Sequence, residues 1–130
     1  MKITDKYGFR FRDWQVYKDS RQFRRDINIL VRKFPTEERF ALVDQTRRAL
    51  LSIILNIAES TNKNSDKDMR LYLNRSHCSA DEVVACLDCA YDDGYITKEE
   101  LEVALAKASE LAKQLTAFTA YLSRNLKVNR

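Results

Sequence analysis

Arg70 and His77 lie seven positions apart, which places them on one face of a helix. A guanidinium beside an imidazole could hold a phosphate and move a proton, so this pair carries the sharpest acid–base reading in the chain. Cys86 and Cys89 form a Cys-x-x-Cys, with His77 and Cys78 upstream. Structural zinc takes such pairs on turns and needs a second pair elsewhere, so these thiols read as buried or semi-buried core groups with no metal. A di-iron bundle would need Glu-x-x-His twice, and Asn74 stands three before the sole histidine. Lys18, Arg21, Arg25 and Arg32, with Arg24 beside them, form a basic stripe that follows Trp14 and Tyr17. Arginine forks suit phosphate, and aromatic rings add stacking surface, so the stripe has the chemistry of a nucleic-acid face. A solvated helix face carries the same charges, which leaves a protein-interaction module without nucleic-acid binding as the alternative. No phosphate-cradling glycine loop and no activated nucleophile accompanies these groups, and the residues argue for binding without catalysis and without a cofactor.

The elements that must position these residues are helices. The 130 residues are 45% hydrophobic and 32% charged, with two glycines and one proline, a balance that excludes a disordered chain and a turn-rich β domain. No apolar run is long enough to cross a membrane, and the N-terminal segment is charged and aromatic, unlike a secretion signal. The three cysteines fall in one short segment rather than a disulfide framework, and the expected compartment is the cytoplasm. A net charge of +4 is only mildly basic. Its distribution matters more: positive charge gathers in the first third and at Arg124, Lys127 and Arg130, while the stretch from Asp81 to Glu110 is acidic.

Periodicity and punctuation predict four helices in a single domain, over about 13–34, 36–61, 66–92 and 98–123. Pro35 ends the first, and Val16, Phe23, Ile27, Leu30 and Phe34 share its inner face. Ser65 with Asp68, and Thr97 with Glu100, have capping-box spacing, and Gly94 suits a left-handed helix end. Short connections between long amphipathic helices specify an all-α, up-and-down antiparallel four-helix bundle.

The second helix carries more apolar surface than one bundle core needs. Leu42, Leu50, Ile53 and Ile57 form one side; Phe40, Leu51, Ile54, Leu55 and Ala58 form another. Leaving the second side in water forgoes roughly 1.5–3 kcal/mol per large side chain, so self-association through it is expected unless neighbours such as Tyr17 or Tyr121 cover it. Between the two runs a polar stripe, Gln45, Arg48, Ser52, Asn56 and Glu59. Flanked by hydrophobes, it needs hydrogen-bond partners; Arg48 and Glu59 are roughly 16 Å apart along the helix, so those partners must come from another helix, with Ser79 and Glu82 the candidates.

The string from Phe34 to Ser60, FPTEERFALVDQTRRALLSIILNIAES, resembles the 23S rRNA-intervening-sequence proteins, a bacterial four-helix-bundle family with a pattern like FPxEERxxLxxQxRRAxxSIxxNIAEG. The likeness extends upstream through Phe11, Asp13, Val16 and Tyr17, and downstream through Ser79, Glu82, Leu87, Ala90, Gly94, Tyr95 and Ile96. Ile54, Ser60 and the pair His77-Cys78 depart from it, standing where the family often has Pro, Gly and Arg-Gly. The resemblance implies a ring-like homopentamer related to the accessory variability proteins of diversity-generating retroelements, whose basic surfaces bind nucleic acid and a reverse transcriptase. Arg70 and His77 are also similar in spacing to the Arg-x6-His of HEPN-type ribonucleases, although Leu71 follows the arginine where that family has a polar residue. A ribonuclease is therefore the remote alternative to a non-enzymatic scaffold.

Overall fold

One single-sided cap, one reciprocal cap and one glycine set the ends of the later helices. The Ser65 hydroxyl accepts the Asp68 amide proton at 3.1 Å. Thr97 and Glu100 cap each other, amide to carboxylate at 2.9 Å and amide to hydroxyl at 3.1 Å. Gly94, at φ +79°, takes the left-handed geometry that ends one helix and lets the next begin. The computed structural model describes the backbone of residues 4–129 and the side chains of residues 4–124. Its helices are α1 (Gln15–Val31), α2 (Leu42–Ser60), α3 (Asp66–Asp92) and α4 (Lys98–Asn129), with 3-10 turns at Arg10–Asp13 and Thr36–Glu38.

Each helix packs on two neighbours: α1 on α2 and α4, α3 on α2 and α4. Contacts across α1 and α4 run in opposite directions along the chain: Asp19 to Gln114, Asp26 to Lys107, Lys33 to Glu100. The rungs are seven residues apart along both segments, two turns per rung, with Lys33 in the turn just past the end of α1, which is the register of an antiparallel pair. The same antiparallel order holds between α2 and α3, where the buried Ser76 hydroxyl donates to the Ile53 carbonyl at 2.8 Å. Ile27, Leu50, Ile53, Ile57, Leu73, Val83, Leu87 and Leu115 fill the centre of the resulting four-helix bundle. Trp14 against Phe118, at 4.7 Å, closes one end; Phe34 against Tyr95, at 5.8 Å, closes the other.

Four boundaries differ by two residues or more from the sequence expectation. The first helix begins at Gln15, not at 13, because Trp14 is extended (ψ 129°) and the Asp13 carboxylate is taken by Thr4. It ends at Val31, yet Phe34 stays buried beyond it as a core plug. The second helix begins at Leu42, not at 36. Residues 36 to 40 offer no inner apolar stripe, the backbone breaks at Ala41 (φ −122°, ψ −98°), and Glu38 reaches forward to the Leu42 amide. Phe40 therefore sits in the turn before α2. The fourth helix continues past 123 to Asn129, since no Gly or Pro follows Gly94 to stop it. Lys127 and Arg130 of the basic tail lie outside the described side chains. Among the described residues, no helix is long and apolar enough to cross a membrane.

Candidate nucleic-acid interface and assembly surface

The α1 helix separates its charges by side. Val16, Ser20, Phe23, Ile27 and Val31 are buried, and Lys18, Arg21, Arg24, Arg25 and Arg32 are all exposed. None of the five forms an ion pair with a carboxylate among the described residues. The acids of α1 turn instead toward α4, where Asp19 accepts from Gln114 at 2.8 Å and Asp26 meets Lys107 at 3.2 Å. Burial raises the Asp26 carboxyl, but hydrogen bonds from Gln22 and Lys107 and the Lys107 charge outweigh it and hold the group below its ordinary value. Arg25 donates to Gln22 at 2.6 Å, and Arg21 lies over the Tyr17 ring at 5.7 Å. The outer side of α1 is thus cationic: none of its five cations is in a close ion pair among the described residues, although the Arg25 and Lys18 charges act on Asp26 and Asp13, and the acids of α1 turn toward α4.

The aromatic part of that surface is smaller than the sequence suggested. Trp14 is 3% exposed and belongs to the core, so its ring is closed to bases. Tyr17 is half-buried, edge-on to Phe11 at 4.9 Å. Sequence reasoning also missed Arg10, which reaches across to the Thr61 carbonyl at the end of α2 while lying over the Trp14 ring at 5.6 Å. A cation on the last carbonyls of a helix satisfies both their lone pairs and the helix dipole.

The polar stripe of α2 splits into two parts. Ser52 and Ser79 share a hydrogen bond at 2.8 Å, and Asn56 donates to the Ser52 carbonyl and hydroxyl at 2.9 and 3.0 Å. Gln45 donates to Glu82 at 2.6 Å, but this link lies at the rim, in contact with solvent. Arg48 finds its partner on its own helix, Asp44 at 3.0 Å, and not on a neighbour. Glu59 is exposed. The part of the network that is sheltered consequently reduces to the half-buried Ser52, Asn56 and Ser79. The fully buried hydroxyls are others: Ser20, Thr46 and Ser60 bond back to their own helices, while Ser76 ties α3 to α2. Small residues at Ala49, Ser76 and Ala80 are the sequence signal for this close approach.

The second apolar side of α2 also divides. Ile54 is 8% exposed and joins the protomer's own buried surface, a correction to its assignment as an assembly residue. Ala58 is half-buried. Leu51 and Leu55 remain exposed, at 42% and 55%, and Phe40 is 88% exposed.

Arg70 and His77 do reach one groove, between α3 and α4, together with Asn74, Thr116, Thr119 and Ser123. Thr116 and Thr119 donate to their own helix backbone, Arg70 stands 3.5 Å from the Ser123 hydroxyl, and His77 is 3.9 Å from Asp81. Of the cysteines, Cys86 is buried, and desolvation pushes its thiol up. Cys78 and Cys89 are exposed, contrary to a reading of all three as core groups. Among the described residues no three His, Cys, Asp or Glu side chains converge on a point where a metal could sit.

Fold and surface together define a class: an antiparallel four-helix bundle with a closed apolar interior, a cationic outer side on α1 and exposed leucines on α2. Residues 12–117 match the family described as 23S rRNA-intervening sequence protein, and the chain belongs to that family. Its fold is similar to a crystal structure of a protein of unknown function from the S23 ribosomal protein family of Bacteroides thetaiotaomicron, with a TM-score of 0.71 and 27% identity over 80% of this chain and 97% of that one. No curated protein matches the sequence.

Proposed function

We propose that this chain is a non-enzymatic, self-assembling cytoplasmic scaffold that presents the basic face of α1 to the phosphate backbone of RNA or DNA. The observation that carries this reading is the separation of charge on α1: five exposed cations, none in a close ion pair among the described residues, and acids turned into the α4 seam. A face that only needed solubility would gain from interspersed pairs; an uncompensated one attracts polyanions and releases their counterions on binding. The exposed leucines of α2 support self-assembly, in five copies as the family resemblance implies. Repeating the basic face around an assembly turns several weak phosphate contacts into one firm one. A nucleoprotein containing a reverse transcriptase is a partner of the same chemistry.

The test is retention of labelled mixed-sequence RNA and DNA across a salt series. Binding should show little sequence preference and fall steeply with salt, since phosphate contacts position a protein without reading bases. No retention of either nucleic acid at low salt would reduce the protein to an interaction module.

A further inference from the structure

The groove between α3 and α4 has no part in the function proposed above, and its polar groups are unspent. It measures about 470 Å³, within the range of small-molecule sites. Arg70, Asn74 and His77 follow one another at four and three residues on α3 and line one wall. Thr116, Ala120 and Ser123 repeat that spacing on α4 and line the other. Leu73 and Leu115, each 1% exposed, form the floor between them.

The wall groups are donors that lack acceptors. Arg70 forms no ion pair among the described residues, and its one hydrogen bond, at 3.5 Å, goes to the Ser123 hydroxyl. Ser123 is only 8% exposed, yet its own hydroxyl proton has no acceptor among the described residues. The Asn74 amide also makes no hydrogen bond among them. Thr116 and Thr119, by contrast, give their hydroxyl protons to their own helix. A guanidinium and a buried hydroxyl side by side, joined by one bond at the limit of length, call for an oxygen acceptor beside them.

Charge narrows the kind of acceptor. Lys67 and Arg124 lie one turn from Arg70 and Ala120, are exposed and form no ion pair among the described residues. At the Arg70–Ser123 end these cations gather against Asp66 alone, buried at the first position of α3. The other end lies two turns away, roughly 10 Å along the helix. There His77 stands 3.9 Å from Asp81, and the exposed Lys113 lies one turn from Thr116. A phosphate monoester carries about −1.5 to −2 charge near neutrality and three acceptor oxygens, which matches the surplus at the Arg70 end. A carboxylate brings one charge and two oxygens and leaves part of that end unmatched.

We propose that the α3–α4 groove binds an organic phosphate monoester. Arg70 and Ser123 hold the phosphate, with Asn74 beside them, and the apolar body of the ligand lies over Leu73 and Leu115 toward His77. The site is independent of the α1 face and of self-assembly.

The probe is phenyl phosphate, a monoester on a flat apolar body, titrated into the full chain and followed by amide and side-chain chemical shifts. Saturable shifts should centre on Arg70, Asn74, Leu115 and Ser123. Inorganic phosphate should bind more weakly, because it leaves Leu73 and Leu115 uncovered. Arg70→Gln should weaken phenyl phosphate about tenfold or more, and Ser123→Ala several-fold, while Arg21→Glu with Arg25→Glu leaves its affinity unchanged. Wild-type peak dispersion certifies each variant as folded. No saturable shifts, shifts centred on α1, or wild-type affinity in Arg70→Gln would overturn the site. Benzoate bound as tightly as phenyl phosphate would overturn the assignment to phosphate. Competition then identifies the source of the monoester. Displacement of phenyl phosphate by a 5′-phosphorylated oligonucleotide and not by its hydroxyl-ended twin supports a strand terminus; displacement by neither supports a free ester. Displacement by both would put the phosphodiester backbone in the groove and overturn the monoester.

Discussion

α1 and α2 lie side by side, each with one face sealed in the core, yet their outward faces are opposite in chemistry. Lys18, Arg21, Arg25 and Arg32 make the outer side of α1 cationic; Leu51 and Leu55 make that of α2 apolar. A helix that only needs to be wet can be polar all round its outer side, and α1 exceeds that by being charged with one sign. A helix that is wet should not carry exposed leucines a turn apart, and α2 does. The proposed function assigns the two outer faces different partners, a polyanion for α1 and protein surface for α2.

The largest effect should come from the face the two helices share. Ile57 is 0% exposed, and Ile57→Ala should cost about 2–5 kcal/mol in denaturant unfolding, measured at matched protein concentrations so that any assembly does not mask the change. Next comes Leu55→Glu, which should collapse the light-scattering mass while leaving helix content unchanged; an unchanged mass would place the assembly surface away from α2. Ser79→Ala leaves the Ser52 hydroxyl with Asn56 as its remaining partner and should cost about 0.5–1.5 kcal/mol. The smallest effect concerns Asp26, whose carboxyl lies below its ordinary 3.8 in the folded state. The folded form binds that proton more weakly than the unfolded chain, so its contribution is full above about pH 4 and fades as pH falls through the lowered folded value. Lys107→Gln should shrink that acid-side decline, read from unfolding midpoints between about pH 5 and 2. Identical pH profiles for the two proteins would remove the α1–α4 ion pair from the stability account.

Most of the architecture was legible because helix ends and helix faces leave local marks. Ser65 with Asp68, Gly94, and Thr97 with Glu100 cap and break where their spacing suggests. The start of α2 was not legible: the run after Pro35 is compatible with a helix, and only the absence of anything for residues 36–40 to pack against unwinds it. The basic face of α1 could be read from spacing alone. Which side of it keeps an aromatic could not, since Trp14 enters the core through its fit to Phe118, a residue distant in sequence. Ile54 shows the same limit from the other direction. Its position on the helix groups it with Leu51 and Leu55, and only the proximity of a neighbouring helix separates a buried side chain from two exposed ones.

The central claim, that the outer faces of α1 and α2 serve separate partners, is tested most directly by one protein measured two ways. Arg21→Glu with Arg25→Glu should keep the wild-type light-scattering mass, because both side chains point away from the core and from Leu51 and Leu55 of α2. The same protein should bind RNA and DNA more weakly across all sequences, with the slope of log affinity against log salt reduced by roughly one for each phosphate that is no longer neutralised. Wild-type affinity and slope in this double variant would contradict the assignment of the α1 face, and failure to assemble would contradict the separation of the two surfaces.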